Sequence, residues 1–142
     1  MSTDKISVWE GEWKKGVTSF HLPEVNVKLL DNLDILLGSP SPVSDTVSAK
    51  TVLVPLCGKS KDLVHLHSLG HSVVGVEWIE QACTEFFAEN NIQFTRTPLE
   101  GVEGSLYTVS WTTCKQTVSN YSNSPRIYLY SNLTRFSPRM GG

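Results

Sequence analysis

The chain has 142 residues and a formal net charge of −2. That length suits one domain with a single core. So small a charge gives no electrostatic basis for binding nucleic acid or an anionic membrane. The three cysteines, Cys57, Cys83 and Cys114, are too scattered for a disulfide framework or a zinc site, which favours a reducing compartment. The N-terminal MSTDKISVWEGEWKKG lacks the apolar stretch of a signal peptide, and no apolar run approaches the ~20 residues of a membrane span. A cytoplasmic protein is the expectation.

Residues 1–23 carry two tryptophans and a Phe-His pair but no clear period. Pro23 and Glu24 suit a first helical turn, and Val25, Leu29, Leu33, Leu36 and Leu37 recur at helical spacing before Gly38. A helix is therefore predicted over 24–37. SPSPVSDTVSAK, residues 39–50, reads as a linker. Thr51 to Leu56 is almost uniformly apolar, as in a strand buried on both faces of a parallel sheet. A helix over 60–69 follows, with Ser60 as N-cap, Asp62 in its first turn, and Leu63, Leu66 and Leu69 inward. The second strand runs from Ser72 to Glu77. Ile79, Ala82, Cys83, Phe86 and Phe87 then mark one face of another helix, and Ile92 to Thr95 suggests a third strand. The order β-α-β-α-β predicts an α/β, Rossmann-like sheet with right-handed crossovers.

Charge is uneven along the chain. Residues 1–104 hold all fourteen acidic residues against eight basic ones, whereas 105–142 hold four basic residues and none acidic. This divides the chain into a domain portion, 1–104, and a divergent, irregular polar tail, 105–142. IYLY at 127–130 is the tail's best strand candidate, and the rest reads as a surface appendage.

Sheets of this kind bind ligands at the carboxyl ends of their strands. The first strand ends at Leu56-Cys57-Gly58, where a glycine lets backbone approach a ligand and offer N–H groups. Glu77 ends the second strand, 19 residues beyond Gly58. That is close to the ~20 expected for an acid that grips ribose hydroxyls. A dinucleotide needs G-x-G-x-x-G, and this turn, PLCGKS, has one glycine. That disfavours NAD and suits a cofactor without phosphate, such as S-adenosyl-L-methionine. Gly58-Lys59-Ser60 mimics the end of a Walker A loop, but Leu53 stands where that loop needs its first glycine. Cys57 has no assignable base and reads as packing, and His65 and His67 point to different helix faces. Asn120-Tyr121-Ser122 and Asn132-Leu133-Thr134 match the glycosylation sequon by chance if no signal peptide precedes them.

The blocks VLVPLCGKSKDL, LGHSVVGVE and ACTEFFAEN within residues 51–91 resemble the thiopurine S-methyltransferase family. So does the N-terminal pattern Trp9-x3-Trp13-x2-Gly16-x3-Phe20-His21 and the helix after it. The similarity covers roughly residues 8–104. It implies a class I methyltransferase sheet using S-adenosyl-L-methionine, with methyl transfer to the sulfur of a small aromatic or heterocyclic thiol. It further implies that the segment from Trp9 to Phe20 folds over the cofactor, with Trp9 and Trp13 in contact. Phe20 would border both cofactor and substrate, Leu56 and Gly58 the methionine portion, and Glu77 would take the ribose hydroxyls. The residue after Glu77 is usually aliphatic in the family. Trp78 stands there instead, so either the adenine contact is altered or the pocket edge is rebuilt. From the residues alone, the aromatics read equally as a wall for a sulfonium cation or as anchors for a loose N-terminus.

A complete sheet of this type needs on the order of 200 residues. The resemblance fades after Tyr107, so the expectation is a truncated chain with part of the sheet and an uncovered edge prone to self-association. Two functions follow: a thiol methyltransferase, or a non-catalytic remnant that binds cofactor weakly or pairs with a full-length copy.

Overall fold

A computed structural model describes residues 3–38, 48–109 and 126–131. Most of the linker read at 39–50, Cys114 and both sequons lie outside the described residues. The elements in chain order are α1 (Thr3–Lys14), α2 (Val27–Asp31), α3 (Leu33–Leu37), β1 (Thr51–Pro55), α4 (Lys61–Ser68), β2 (Ser72–Glu77), α5 (Glu80–Glu89), β3 (Phe94–Pro98), β4 (Ser105–Val109) and β5 (Ile127–Ser131). The strands form one mixed sheet in the order β1-β2-β5-β4-β3. β1, β2 and β5 are parallel, and β4 runs antiparallel to both β5 and β3. The mixed α/β fold is that of a class I methyltransferase-like sheet. Among the described residues no helix is long and apolar enough to cross a membrane.

Several elements differ from their sequence-based expectation, each for a physical reason. α1 forms where no period was visible; over residues 7–14 the buried side chain is Trp13. The helix predicted over 24–37 divides at Asn32, whose side-chain amide donates to the Lys28 carbonyl at 2.8 Å and competes with the backbone ladder. Among the described residues β1 is an edge strand, with Thr51, Leu53 and Pro55 exposed, rather than buried on both faces. Leu69 ends α4 partly exposed, while Leu63 and Leu66 are buried. β3 is not the third parallel strand. Only residues 99–104 separate it from β4, so the two close as an antiparallel hairpin at the far edge. The strand at 127–131 is central: Ile127, Leu129 and Ser131 are buried, and the strand joins β2 to β4.

The core lies between this sheet and the helices packed on it, with Leu37 of α3, Leu63 and Leu66 of α4 and the buried face of α5 in contact. Ala82, Cys83, Phe86 and Phe87 are all buried, as the helical spacing requires. Phe87 stacks on Phe94 at 4.5 Å and on Tyr107 at 5.9 Å between ring centroids. Full burial of Phe86 and of Phe87 contributes about 1.5–3 kcal/mol each. Tyr107 donates its hydroxyl to Glu80 Oε1 at 2.8 Å, and Arg96 pairs with the same oxygen at 2.6 Å. Burial and this carboxylate push the Tyr107 hydroxyl up to about 12. Burial likewise pushes the Cys83 thiol up to about 12.

At the middle of the sheet, Gly75 leaves room for Cys57 and Leu129. A Cβ on Gly75 would lie 2.8 Å from Cys57 Sγ and closer still to Leu129 Cδ2. Gly75→Ala is therefore expected to destabilise the chain by about 1–3 kcal/mol. A lower urea midpoint at unchanged slope would report it, and a midpoint equal to that of the parent would contradict this packing.

Candidate functional site

The carboxyl ends of β1 and β2 open into a cavity of about 580 Å³. Trp9, Trp13, Phe20, Leu56, Gly58, Glu77 and Trp78 all line it. The sequence thus named seven residues from three separate segments, and the fold brings all seven to one place.

Glu77 is the electrostatic centre of this cavity and is only 7% exposed. Its Oε2 accepts the Gly58 N–H at 2.7 Å, and its Oε1 accepts the Ile79 N–H at 2.8 Å. Ile79 is the N-cap of α5 and has no side-chain oxygen to cap the helix, so the carboxylate sits at the positive end of that helix dipole. The N–H of Gly58, expected to face a ligand, is instead committed to Glu77. Each carboxylate oxygen keeps a second lone pair. Two adjacent acceptors remain, which is the pattern that suits two vicinal hydroxyls.

The turn between β1 and α4 is built for close approach. Leu56 and Gly58 both take positive φ, 50° and 53°. Left-handed backbone at a leucine costs on the order of 1–2 kcal/mol and is often retained where function demands it. It leaves the Leu56 side chain 72% exposed on the cavity wall. Trp13 Cζ2 would lie 3.7 Å from a Cβ on Gly58, so the indole packs directly on the turn. Ser60 Oγ caps α4 by accepting the Asp62 N–H at 3.1 Å, and Asp62 Oδ1 accepts the Asn26 N–H at 2.8 Å.

The N-terminal cover follows from Gly16. Its φ of 72° ends α1 and returns the chain so that Phe20 meets Trp9 and Trp13 edge-on, at 5.2 and 5.8 Å. Trp13 is buried, but Trp9 and Phe20 are each about half exposed. Two large aromatics left open beside a buried carboxylate form a surface that gains energy from a ligand. Trp78 packs with Trp13, Ile79 and Ala82 at the rim.

Sequence reasoning did not find His21, Leu22, Glu24, Asn26, Cys57, Ser60, Asp62 or Ile79 as lining residues. Most follow directly in sequence from residues it did find, and Asp62 was visible only as a first-turn acid. Burial raises the Cys57 thiol far above its ordinary value, in keeping with packing. Burial and the nearby Lys59 charge lower the His21 imidazole, favouring its neutral form at pH 7. Lys59 lies beneath the turn and bonds Glu85 at 2.8 Å and Glu89 at 2.6 Å. Burial acts to lower Lys59, but its bonds to the two carboxylates raise it on balance. Burial acts to raise Glu85, but its bonds to Lys59 and Gln81 lower it.

The family model described as "Thiopurine S-methyltransferase (TPMT)" matches residues 4–140. The match runs well past residue 104, the end of the resemblance carried by the sequence motifs. Thiopurine S-methyltransferase of Psychrobacter cryohalolentis is 39% identical over 90 residues, covering 61% of this chain and 36% of that protein. That of Pseudomonas fluorescens is 46% identical over 84 residues, covering 59% of this chain and 35% of that protein. A probable thiopurine S-methyltransferase of Danio rerio is 34% identical over 100 residues, covering 70% of this chain and 40% of that protein. The chain thus spans a little over a third of the length of the curated relatives it matches.

Two outcomes are expected at this site. Leu56→Gly removes the strained backbone and should unfold in urea no earlier than the parent, because the lost side chain is mostly exposed; a clear loss of stability would contradict the strain. Comparing the parent with Lys59→Met tests the ion pairs. The stability difference should be flat from about pH 7.5 to 10 and begin to fall below that as His21, whose charged form Lys59 disfavours, protonates. It should shrink in acid, below the ordinary Glu85 value of 4.5, as that carboxylate protonates through its lowered value. It should shrink again above 10.5 as Lys59 deprotonates through its raised value. A difference that does not change in acid would contradict the pairing.

Proposed function

The chain belongs to the thiopurine S-methyltransferase family, and on that premise we propose that its cavity binds S-adenosyl-L-methionine for methyl transfer to the sulfur of a small aromatic or heterocyclic thiol. One observation carries the reading. Glu77, at the tip of β2, keeps a further lone pair on each oxygen and lines a cavity walled by Trp9, Trp13 and Phe20.

The residues present fit that cofactor. Glu77 would take the two ribose hydroxyls. The turn at Leu56 and Gly58 would run beside the methionine portion, where the lack of a Cβ at Gly58 keeps the backbone close. The aromatic faces attract a desolvated cation by about 0.5–2 kcal/mol, which suits a sulfonium. Phe20, half exposed, would border cofactor and acceptor. Trp78 would meet the adenine edge. The cofactor supplies an electrophilic methyl group, and the chain's part is to align the acceptor in line and exclude water. A thiol acceptor is partly ionised near neutral pH, so no dedicated base is demanded of these residues.

A second reading is cofactor binding without turnover. It is favoured by the lining, which among the described residues comes from segments 9–26, 56–62 and 77–79. Among the described residues β1 has a strand partner on one side alone.

Calorimetric titration with S-adenosylmethionine and S-adenosylhomocysteine tests the site. Both should bind, and Glu77→Ala should weaken binding about 10- to 100-fold, as expected for hydrogen bonds to a charged group. Absence of binding by a cooperatively folded parent would overturn the reading. Transfer of a radiolabelled methyl group to an aromatic thiol separates the two readings: turnover supports the enzyme, and binding without turnover supports the second.

A further inference from the structure

We propose that Gln81, Glu85 and Lys59 form a latch that fixes Trp13 in the cavity wall, and so act as positioning residues for a ligand none of them touches. Their effect on affinity rests on the cofactor reading above, whereas their hold on Trp13 does not. None of the three lines the cavity.

The contacts make a closed circuit through α1, α5 and the turn before α4. The Gln81 amide nitrogen donates one hydrogen to the Trp13 carbonyl at 3.0 Å and the other to Glu85 Oε1 at 2.7 Å. Lys59 Nζ donates to Glu85 Oε2 at 2.8 Å and to Glu89 Oε1 at 2.6 Å. The same ammonium lies 5.8 Å from the centroid of the Trp13 ring, within cation–π range. Trp13 is thus held at its carbonyl by one end of the network and at its indole by the other. Its ring in turn packs on Gly58 and on Phe20.

The arrangement exceeds what stability requires of these side chains. Gln81 is only partly buried on α5, yet both its amide hydrogens are spent on orienting Glu85 and α1. Lys59 is 8% exposed, an unusual place for a lysine, and its two carboxylates offset that burial. Trp13 lies near the C-terminal end of α1, and Gly16 begins the return that carries Phe20 over it. Loosening Trp13 therefore loosens the aromatic wall as a unit.

The test uses the full chain labelled with 5-fluorotryptophan, whose Trp13 fluorine resonance is assigned by Trp13→Phe. Gln81→Leu and Lys59→Met should shift or broaden that resonance, and Lys59→Arg should restore it. For S-adenosylhomocysteine, both variants should bind about five- to tenfold more weakly than the parent, the size of one or two lost hydrogen bonds. The Gln81→Leu chain should still unfold cooperatively, with a urea midpoint lowered by no more than its two lost hydrogen bonds account for. Parent-like Trp13 resonances in both variants would overturn the proposal. So would unchanged affinity in both, provided that the parent binds. If the parent binds no S-adenosylhomocysteine, the cofactor reading fails, and the Trp13 resonance alone decides for or against the latch.

Discussion

The carboxylate of Glu77 accepts N–H groups from Gly58 and Ile79 at once, and through them it joins the two turns from which the site is made. A buried carboxylate without partners would cost several kcal/mol. Here the N-terminal end of α5 and two backbone donors satisfy it, so the charge stays in place at the tip of β2. The turn after β1 is then held against the turn after β2, in left-handed backbone that would otherwise relax. Parallel pairing of β1 with β2 in register, from Thr51 opposite Ser72 to Pro55 opposite Val76, delivers both turns to the same edge of the sheet.

The aromatic cover depends on that frame. Trp13 can pack on the turn because position 58 lacks a Cβ, and Phe20 can pack on Trp13 because Gly16 reverses the chain. The wall is therefore assembled from the sheet outward: carboxylate, turn, indole, phenyl ring. What remains open is apolar and half exposed around the buried acid. Such a surface suits an amphipathic ligand with a hydroxylated end and a cationic centre better than it suits water.

Much of this was legible in the sequence where local chemistry and tertiary role agree. Gly58, Glu77 and the face from Ile79 to Phe87 stood out because spacing along the chain fixes their place in a β-α-β unit. Ser60 was legible as a cap for the same reason, and its hydroxyl does cap α4. α1 was not, because a single buried side chain, Trp13, over residues 7–14 leaves no period to read. The antiparallel hairpin of β3 with β4 and the central position of β5 were not either. Strand order is set by long-range pairing, and β5 reaches β2 from more than fifty residues away. The network around Lys59 was masked by its resemblance to a phosphate-binding lysine. Its real partners, Glu85 and Glu89, lie on the next helix but one turn apart, a relation visible only once α5 is docked.

The most direct measurement of the central claim is an amide-resolved NMR titration of the chain with S-adenosylhomocysteine. The Gly58 and Ile79 amides, both bonded to Glu77, are expected to shift together and saturate at one ligand per chain, while the amides of β3 at the far edge of the sheet stay unmoved. Saturating shifts that spare Gly58 and Ile79, or no shifts in a well-dispersed spectrum, would contradict the site.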